Sequence, residues 1–187
     1  MMKRIIITGA SGVGKTTIVE ALTSLLSLPM IPELGREICH QMGYQNPTEI
    51  PDQNLFKQSV LTAQIEREEE LQSFISDRST IDCWVLWQRW NMCAAMSYDT
   101  EAYYETARTQ ALKYTHIIYM PPMFPPVDDG FRWTDLDYQK QVDRITRMTL
   151  FELDLWNKTY TVTKLGVEER VREVQEWLSN MTASATP

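Results

Sequence analysis

Eight consecutive residues, Gly9-Ala10-Ser11-Gly12-Val13-Gly14-Lys15-Thr16, fit the pattern G-x-x-x-x-G-K-[ST] at every position. Glycines let a backbone curl until several N–H groups converge on phosphate oxygens. A helix that starts where such a loop ends brings its positive N-terminus to the same anion. Lys15 can then reach the β- and γ-phosphates as a point charge, and Thr16 can offer a hydroxyl oxygen to Mg²⁺. Thr17 follows at once and joins the expected nucleotide-binding set. The chemistry implied is capture of a nucleoside triphosphate, ATP or a similar one, together with Mg²⁺. The flanks supply the context that this chemistry needs. Ile5-Ile6-Ile7 is a β-branched run suited to a strand buried on both faces. Ile18, Val19, Leu22, Leu25 and Leu26 then recur at helical spacing.

A second candidate is Asp77, which closes the short apolar run Phe74-Ile75-Ser76. A carboxylate at the carboxyl end of a parallel strand lies where ligands gather in open α/β sheets. There it can take a proton from an attacking hydroxyl or hold Mg²⁺ through water, or it can simply cap the next helix. Arg78 offers a planar fork for a phosphate or carboxylate, with a surface ion pair as the plainer role. Asp82 reads as a helix cap. Glu33 and Arg36, three apart, can pair along one helix face. Arg144 and Arg147 share a face and read as solvated. Trp84, Trp87 and Trp90 recur every three residues and read mainly as helix packing. Trp84, nearest Asp77, is the one placed to stack on a flat substrate ring. His40 and His116 stand alone, and His116 reads as structural.

The elements that must position these residues alternate along the chain. After the first strand, loop and helix, Pro29 and Pro32 bracket an extended link around Met30 and Ile31. Helices are expected over residues 33–42, from an Asp52 cap to about Gln72, over 80–95, 100–112 and 136–158, and over 167–178. Strands are expected at 74–77, 115–120 and 160–162. The charge run Glu66-Arg67-Glu68-Glu69-Glu70 reads as a solvated helix face. Alternating strands and helices give a parallel sheet with right-handed crossovers. The expected fold is α/β, a three-layer P-loop NTPase domain with a parallel sheet of about five strands. It occupies residues 1–178, with a small polar tail over 179–187.

With 187 residues the chain is long enough for one sizeable core. Its net charge of −7 disfavours a broad nucleic-acid-binding face while leaving a local basic cleft open. Three cysteines, without a CxxC spacing, argue against a disulfide framework or zinc site and for a reducing, cytoplasmic setting. The apolar run after Met1-Met2-Lys3-Arg4 is too short for a signal peptide, and no window reaches a membrane span.

Three further segments carry a resemblance. Glu33-Leu34-Gly35-Arg36 resembles an E-x-x-R segment, Asp77-Arg78-Ser79-Thr80-Ile81-Asp82 a D-R-x-x-x-D segment, and Asp128-Asp129-Gly130-Phe131-Arg132 a D-D-G-x-R lid. Together with the phosphate loop, these make the chain similar to small P-loop kinase-like ATPases of the AAA type. That group includes the ribosylnicotinamide kinase domain of the bifunctional NAD-biosynthesis regulator. The resemblance spans nearly the whole chain. It implies phosphoryl transfer from ATP·Mg²⁺ to a small nucleoside- or nucleotide-like acceptor. It places Glu33, Arg36, Arg78 and Trp84 at the acceptor and favours Asp77 as the base, with the role of water-mediated metal ligand left open. It makes residues 121–133 a lid that brings Arg132 to the γ-phosphate, and it puts Gly166, in the turn Leu165-Gly166-Val167-Glu168-Glu169-Arg170, beside the adenine. The absence of an N-K-x-D guanine-reading segment favours ATP over GTP. A nucleotide-dependent switch with little turnover, and a kinase for a modified base in DNA, remain alternatives.

Overall fold

The computed structural model describes residues 2–91, 97–126 and 135–183. Five strands form one sheet: β1 (Arg4–Thr8), β2 (Met30–Ile31), β3 (Phe74–Asp77), β4 (His116–Tyr119) and β5 (Thr159–Thr161). Their order is β2-β3-β1-β4-β5, and every pairing is parallel. Among the described residues the α-helices are α1 (Lys15–Leu26), α2 (Leu34–Gln41), α3 (Gln53–Leu71), α4 (Thr80–Asn91), α5 (Ser97–Ala111), α6 (Leu136–Glu152) and α7 (Val167–Ala183). The sequence expectation of a three-layer α/β domain on a five-stranded parallel sheet therefore holds.

β1 is central, and Ile5, Ile6 and Ile7 are buried on both faces, as a β-branched run in a parallel sheet must be. α1 lays Ile18, Val19 and Leu22 into the same core and leaves Glu20 in solvent. The extended link after α1 becomes an edge strand, because Met30 and Ile31 pair with Ile75 and Ser76. Asp52 caps α3 as expected, its side chain accepting from Leu55 N at 2.9 Å.

Some boundaries depart from the sequence reading. The long helix expected over 136–158 ends at Glu152, because the chain turns through a left-handed Asp154 (φ 53°) into a short 3-10 turn, Trp156–Lys158. The last helix runs beyond 178 to Ala183. The charge run on α3 is not wholly solvated. Glu68 is fully buried and accepts hydrogen bonds from Gln64, Gln110 and the Tyr114 hydroxyl, while Glu66, Glu69 and Glu70 stay exposed. Three donors converging on one carboxylate are what such a burial demands. No described helix is long and apolar enough to cross a membrane.

Candidate functional site

The register of β1 against its neighbours creates the site. Ile7 pairs with Asp77 on one side, and Thr8 pairs with Tyr119 on the other, so the chain leaves the sheet at Gly9 beside both strand ends. Gly9 has φ 143°, and a Cβ there would lie 2.3 Å from the Met120 carbonyl oxygen, so only glycine fits this exit. The loop then returns through Gly14, a left-handed N-cap that leaves the first turn of α1 without a side-chain cap. The open N–H groups of that turn are the ones that an anion can use.

Lys15 lies at the centre of this loop, only 5% exposed, and its ammonium donates to the carbonyls of Gly9 at 2.9 Å and Ala10 at 2.7 Å. Burial and the nearby Arg78 guanidinium pull its pKa down to about 8, against the pull of Asp77, Asp82 and Glu33. The Thr16 hydroxyl donates to Asp77 Oδ2 at 2.5 Å. Asp77 is 1% exposed, and its second oxygen has no hydrogen-bond partner among the described residues. A hydroxyl oxygen and a carboxylate side by side, with one carboxylate oxygen unsatisfied, are the hard donors that Mg²⁺ takes. No cluster of three or more His, Cys, Asp or Glu exists among the described residues. Mg²⁺ at a triphosphate needs only one or two protein carboxylates, so this donor pair fits it.

Around Arg78 the structure joins residues distant in sequence. Arg78 itself takes a left-handed conformation, φ 78°, which turns its side chain across the strand end. Its Nε donates to Glu33 Oε1 at 2.6 Å, and its terminal nitrogen lies 3.6 Å from Asp82 Oδ1. Burial alone would weaken the guanidinium's hold on its proton, but Glu33, Asp82 and Asp77 outweigh it and hold the pKa above its ordinary value. Asp82, expected to be a cap, is instead buried, accepts from Ser79 Oγ at 2.9 Å and has its pKa raised by burial, with Arg78 and Lys15 opposing the rise.

Ser11, Glu33, Arg78 and Asp82 open onto a cavity of about 360 Å³ between α2, α3 and α4, its far walls including Phe56, Lys57, Arg89, Trp90 and Tyr138. That volume suits a small molecule. Not every expected acceptor residue is there. Arg36 lies on α2 outside the cavity wall, and Glu33 pairs with Arg78 across 45 residues rather than along its own helix. Trp84, 7% exposed, packs on Tyr104 with ring centroids 4.9 Å apart and belongs to the α4–α5 core; Trp90 is the tryptophan that faces the cavity.

Two residues outside the expected set brace the phosphate loop. Arg170 on α7 is 3% exposed and donates to the Val13 carbonyl at 3.0 Å and the Lys164 carbonyl at 2.8 Å. Its guanidinium lies 5.0 Å from the centroid of the Phe124 ring. Gly166 sits one turn before it and accepts from Arg170 N, which ties the last turn to the loop. Gln139 on α6 donates to the Ser11 carbonyl at 3.0 Å and the Phe124 carbonyl at 3.4 Å. The described part of the expected lid, residues 121–126, thus leans on the loop. A Cβ at Gly12, φ 77°, would come within 2.9 Å of Pro126. Arg132 and its aspartate neighbours lie outside the described residues. Arg147 pairs with Asp143 at 3.3 Å, and Arg144 is exposed on the same helix. Thr17 is exposed on the first turn of α1.

Comparison with known proteins agrees with this fold. The sequence matches a family described as an AAA domain over residues 4–170. No curated protein matches it. Solved structures with the same fold include the NadR protein in complex with NR (TM-score 0.75, 19% identity), over 94% of this chain. The chain spans about half, 51%, of that NadR chain. Deoxyadenosine kinase from M. mycoides aligns with TM-score 0.70 and 16% identity, over 95% of this chain and 98% of its own. Shikimate kinase from Aquifex aeolicus vf5 aligns with TM-score 0.64 and 17% identity, over 96% and 98%. The fold is that of P-loop kinases.

Proposed function

The chain belongs to this AAA domain family, and we propose that it is a kinase that transfers the γ-phosphoryl group of ATP to a small acceptor held in the 360 Å³ cavity. One observation carries the reading: the phosphate loop, whose last residue Thr16 donates to Asp77, shares Ser11 with the wall of a cavity that Glu33, Arg78 and Asp82 also line. A site for nucleotide alone would not need a second cavity beside the phosphate loop.

Lys15 would exchange its two carbonyl acceptors for phosphate oxygens, and the loop amides would cradle the same group. When bound at Thr16 and Asp77, Mg²⁺ supplies charge neutralisation on the β- and γ-phosphates. Because Asp77 faces Thr16 and does not line the cavity, we assign it to the metal side. Glu33 lines the cavity, and we assign it the proton of the attacking hydroxyl, with Arg78 fixing the orientation of its carboxylate. Arg132 would close on the developing charge. Such catalysis is mainly positioning and electrostatics. ADP release with ATP·Mg²⁺, measured alone and with a panel of nucleosides, nucleotides and hydroxy acids, tests the reading. Acceptor-stimulated release supports a kinase. Unstimulated, slow release identifies a switch, and stimulation by DNA identifies a kinase for nucleic acid.

A further inference from the structure

Among the described residues the cavity walls carry three cations, and only one is paired with a described carboxylate. Arg78 is held between Glu33 and Asp82. Lys57, on α3, donates to Gln53 Oε1 at 2.9 Å and lies 4.6 Å from the centroid of the Trp90 ring. An ammonium has three N–H donors, so one amide oxygen and an aromatic face leave it unsaturated. No described carboxylate lies within ion-pair distance of it. Burial pulls its pKa down to about 8, with no charged neighbour contributing. Arg89, on α4, places its guanidinium 5.1 Å from the centroid of the Tyr138 ring, and its Nε is buried without an acceptor. It too pairs with no described carboxylate. Lys57 and Arg89 both line this one cavity, Lys57 over the Trp90 ring and Arg89 over the Tyr138 ring.

The position of Lys57 is fixed from behind. The Gln53 amide nitrogen donates to the carbonyls of Pro47 at 2.5 Å and Ile50 at 3.0 Å, which leaves its oxygen turned to the lysine. A partly desolvated ammonium and a buried guanidinium N–H, neither with a described counter-charge, are costly in the free protein, and an anion entering the cavity that both line would offset that cost. We propose that the acceptor is an acidic small molecule whose carboxylate or phosphate monoester is bound by Lys57 and Arg89, with its flat part against Trp90 and Tyr138. This rests on the reading of the cavity as the acceptor site, and it narrows that site to anionic substrates.

The test uses the full chain with its phosphate loop filled by AMP-PNP·Mg²⁺, so that added anions meet only the cavity. Matched pairs are titrated by calorimetry: 3-hydroxybenzoate against 3-hydroxybenzamide for a carboxylate, and thymidine 5′-monophosphate against thymidine for a phosphate. In at least one pair the acidic member is expected to bind about tenfold tighter or more, about 1.4 kcal/mol. Lys57→Met and Arg89→Gln are each expected to abolish most of that preference, and Lys57→Arg to retain it. AMP-PNP binding reports that each variant is folded. The proposal is overturned if the neutral member binds as well in both pairs, if no acidic probe binds, or if the preference survives both substitutions. Acidic preference without ADP release under ATP·Mg²⁺ keeps the anion site and rejects the kinase. Turnover stimulated only by neutral acceptors keeps the kinase and rejects the anion site.

Discussion

Lys15 gives the site a measurable electrostatic signature before any ligand is added. Its ammonium is nearly fully buried, and its pKa falls from 10.5 to about 8. Below pH 8 the folded and unfolded chains both hold the proton, and the buried charge weighs against folding. Between pH 8 and 10.5 the unfolded chain binds more protons than the folded one, so stability rises with pH at up to about 1.4 kcal/mol per unit. Integrated from pH 7 to 10, one group with these two pKa values gains about 2–3 kcal/mol. Other groups titrate in the same window, so the quantity to measure is the difference between wild type and Lys15→Met. Urea unfolding at a series of pH values gives it. The stability of wild type relative to the variant should climb by about 2–3 kcal/mol from pH 7 to 10. AMP-PNP·Mg²⁺ should restore the charge by raising the lysine's pKa, so nucleotide affinity should fall as pH passes 8. A flat difference between the two proteins would refute the reasoning, because the ammonium would then be no more desolvated than in the unfolded chain.

Three other outcomes are expected. Asp77→Asn should lower acceptor-dependent turnover by at least about 10²-fold and raise the Mg²⁺ concentration needed for half-maximal rate, as read from steady-state kinetics; an unchanged Mg²⁺ requirement would remove Asp77 from the metal side. Gly9→Ala, placing a Cβ 2.3 Å from the Met120 carbonyl oxygen, should cost about 3 kcal/mol or more in denaturant unfolding and weaken nucleotide binding with it. Arg132→Lys keeps the charge and loses the planar fork, so kcat should fall by at least about tenfold while nucleotide Kd, measured by calorimetry, changes little; equal small losses in both would make Arg132 a peripheral contact.

What was legible in the sequence had a local cause. The phosphate loop is eight consecutive residues whose glycines answer to their own backbone angles, and Asp77 follows directly on a strand. The breaks that sequence reading misplaced come from tertiary packing. Nothing like glycine or proline marks Asp154, yet there the chain turns left-handed so that Leu153 and Leu155 can both enter the core. Tryptophans at 84, 87 and 90 share a helix, but their spacing alone does not say which neighbour covers which side. Here α5 takes Trp84 and Trp87 through Tyr103 and Tyr104, and the cavity receives Trp90. Glu68 sat in a run of charges, and only the three donors around it, two of them from residues 110 and 114, distinguish it from Glu66. Arg170 was visible as part of a turn, but its bond to Val13 spans 157 residues.

The charges that such folding gathers constrain how the site can work. Around Lys15 stand Arg78, Asp77, Asp82 and Glu33, formally three carboxylates against two cations, and 2 − 3 leaves one negative charge. Burial raises the Asp82 pKa and can at most neutralise that charge, so a bare triphosphate would gain no net attraction from the cluster itself. On the proposed reading a divalent ion would therefore contribute to binding as well as to transfer. Arg78 cannot supply the missing positive charge at the phosphates, because Glu33 and Asp82 already hold it on the acceptor side. In the proposed kinase, the positive charge at the transferring group would have to come from a metal held at Thr16 and Asp77 and from an arginine outside the cluster. That requirement makes Arg132, in the segment following Pro126, the residue on which the kinase reading most depends.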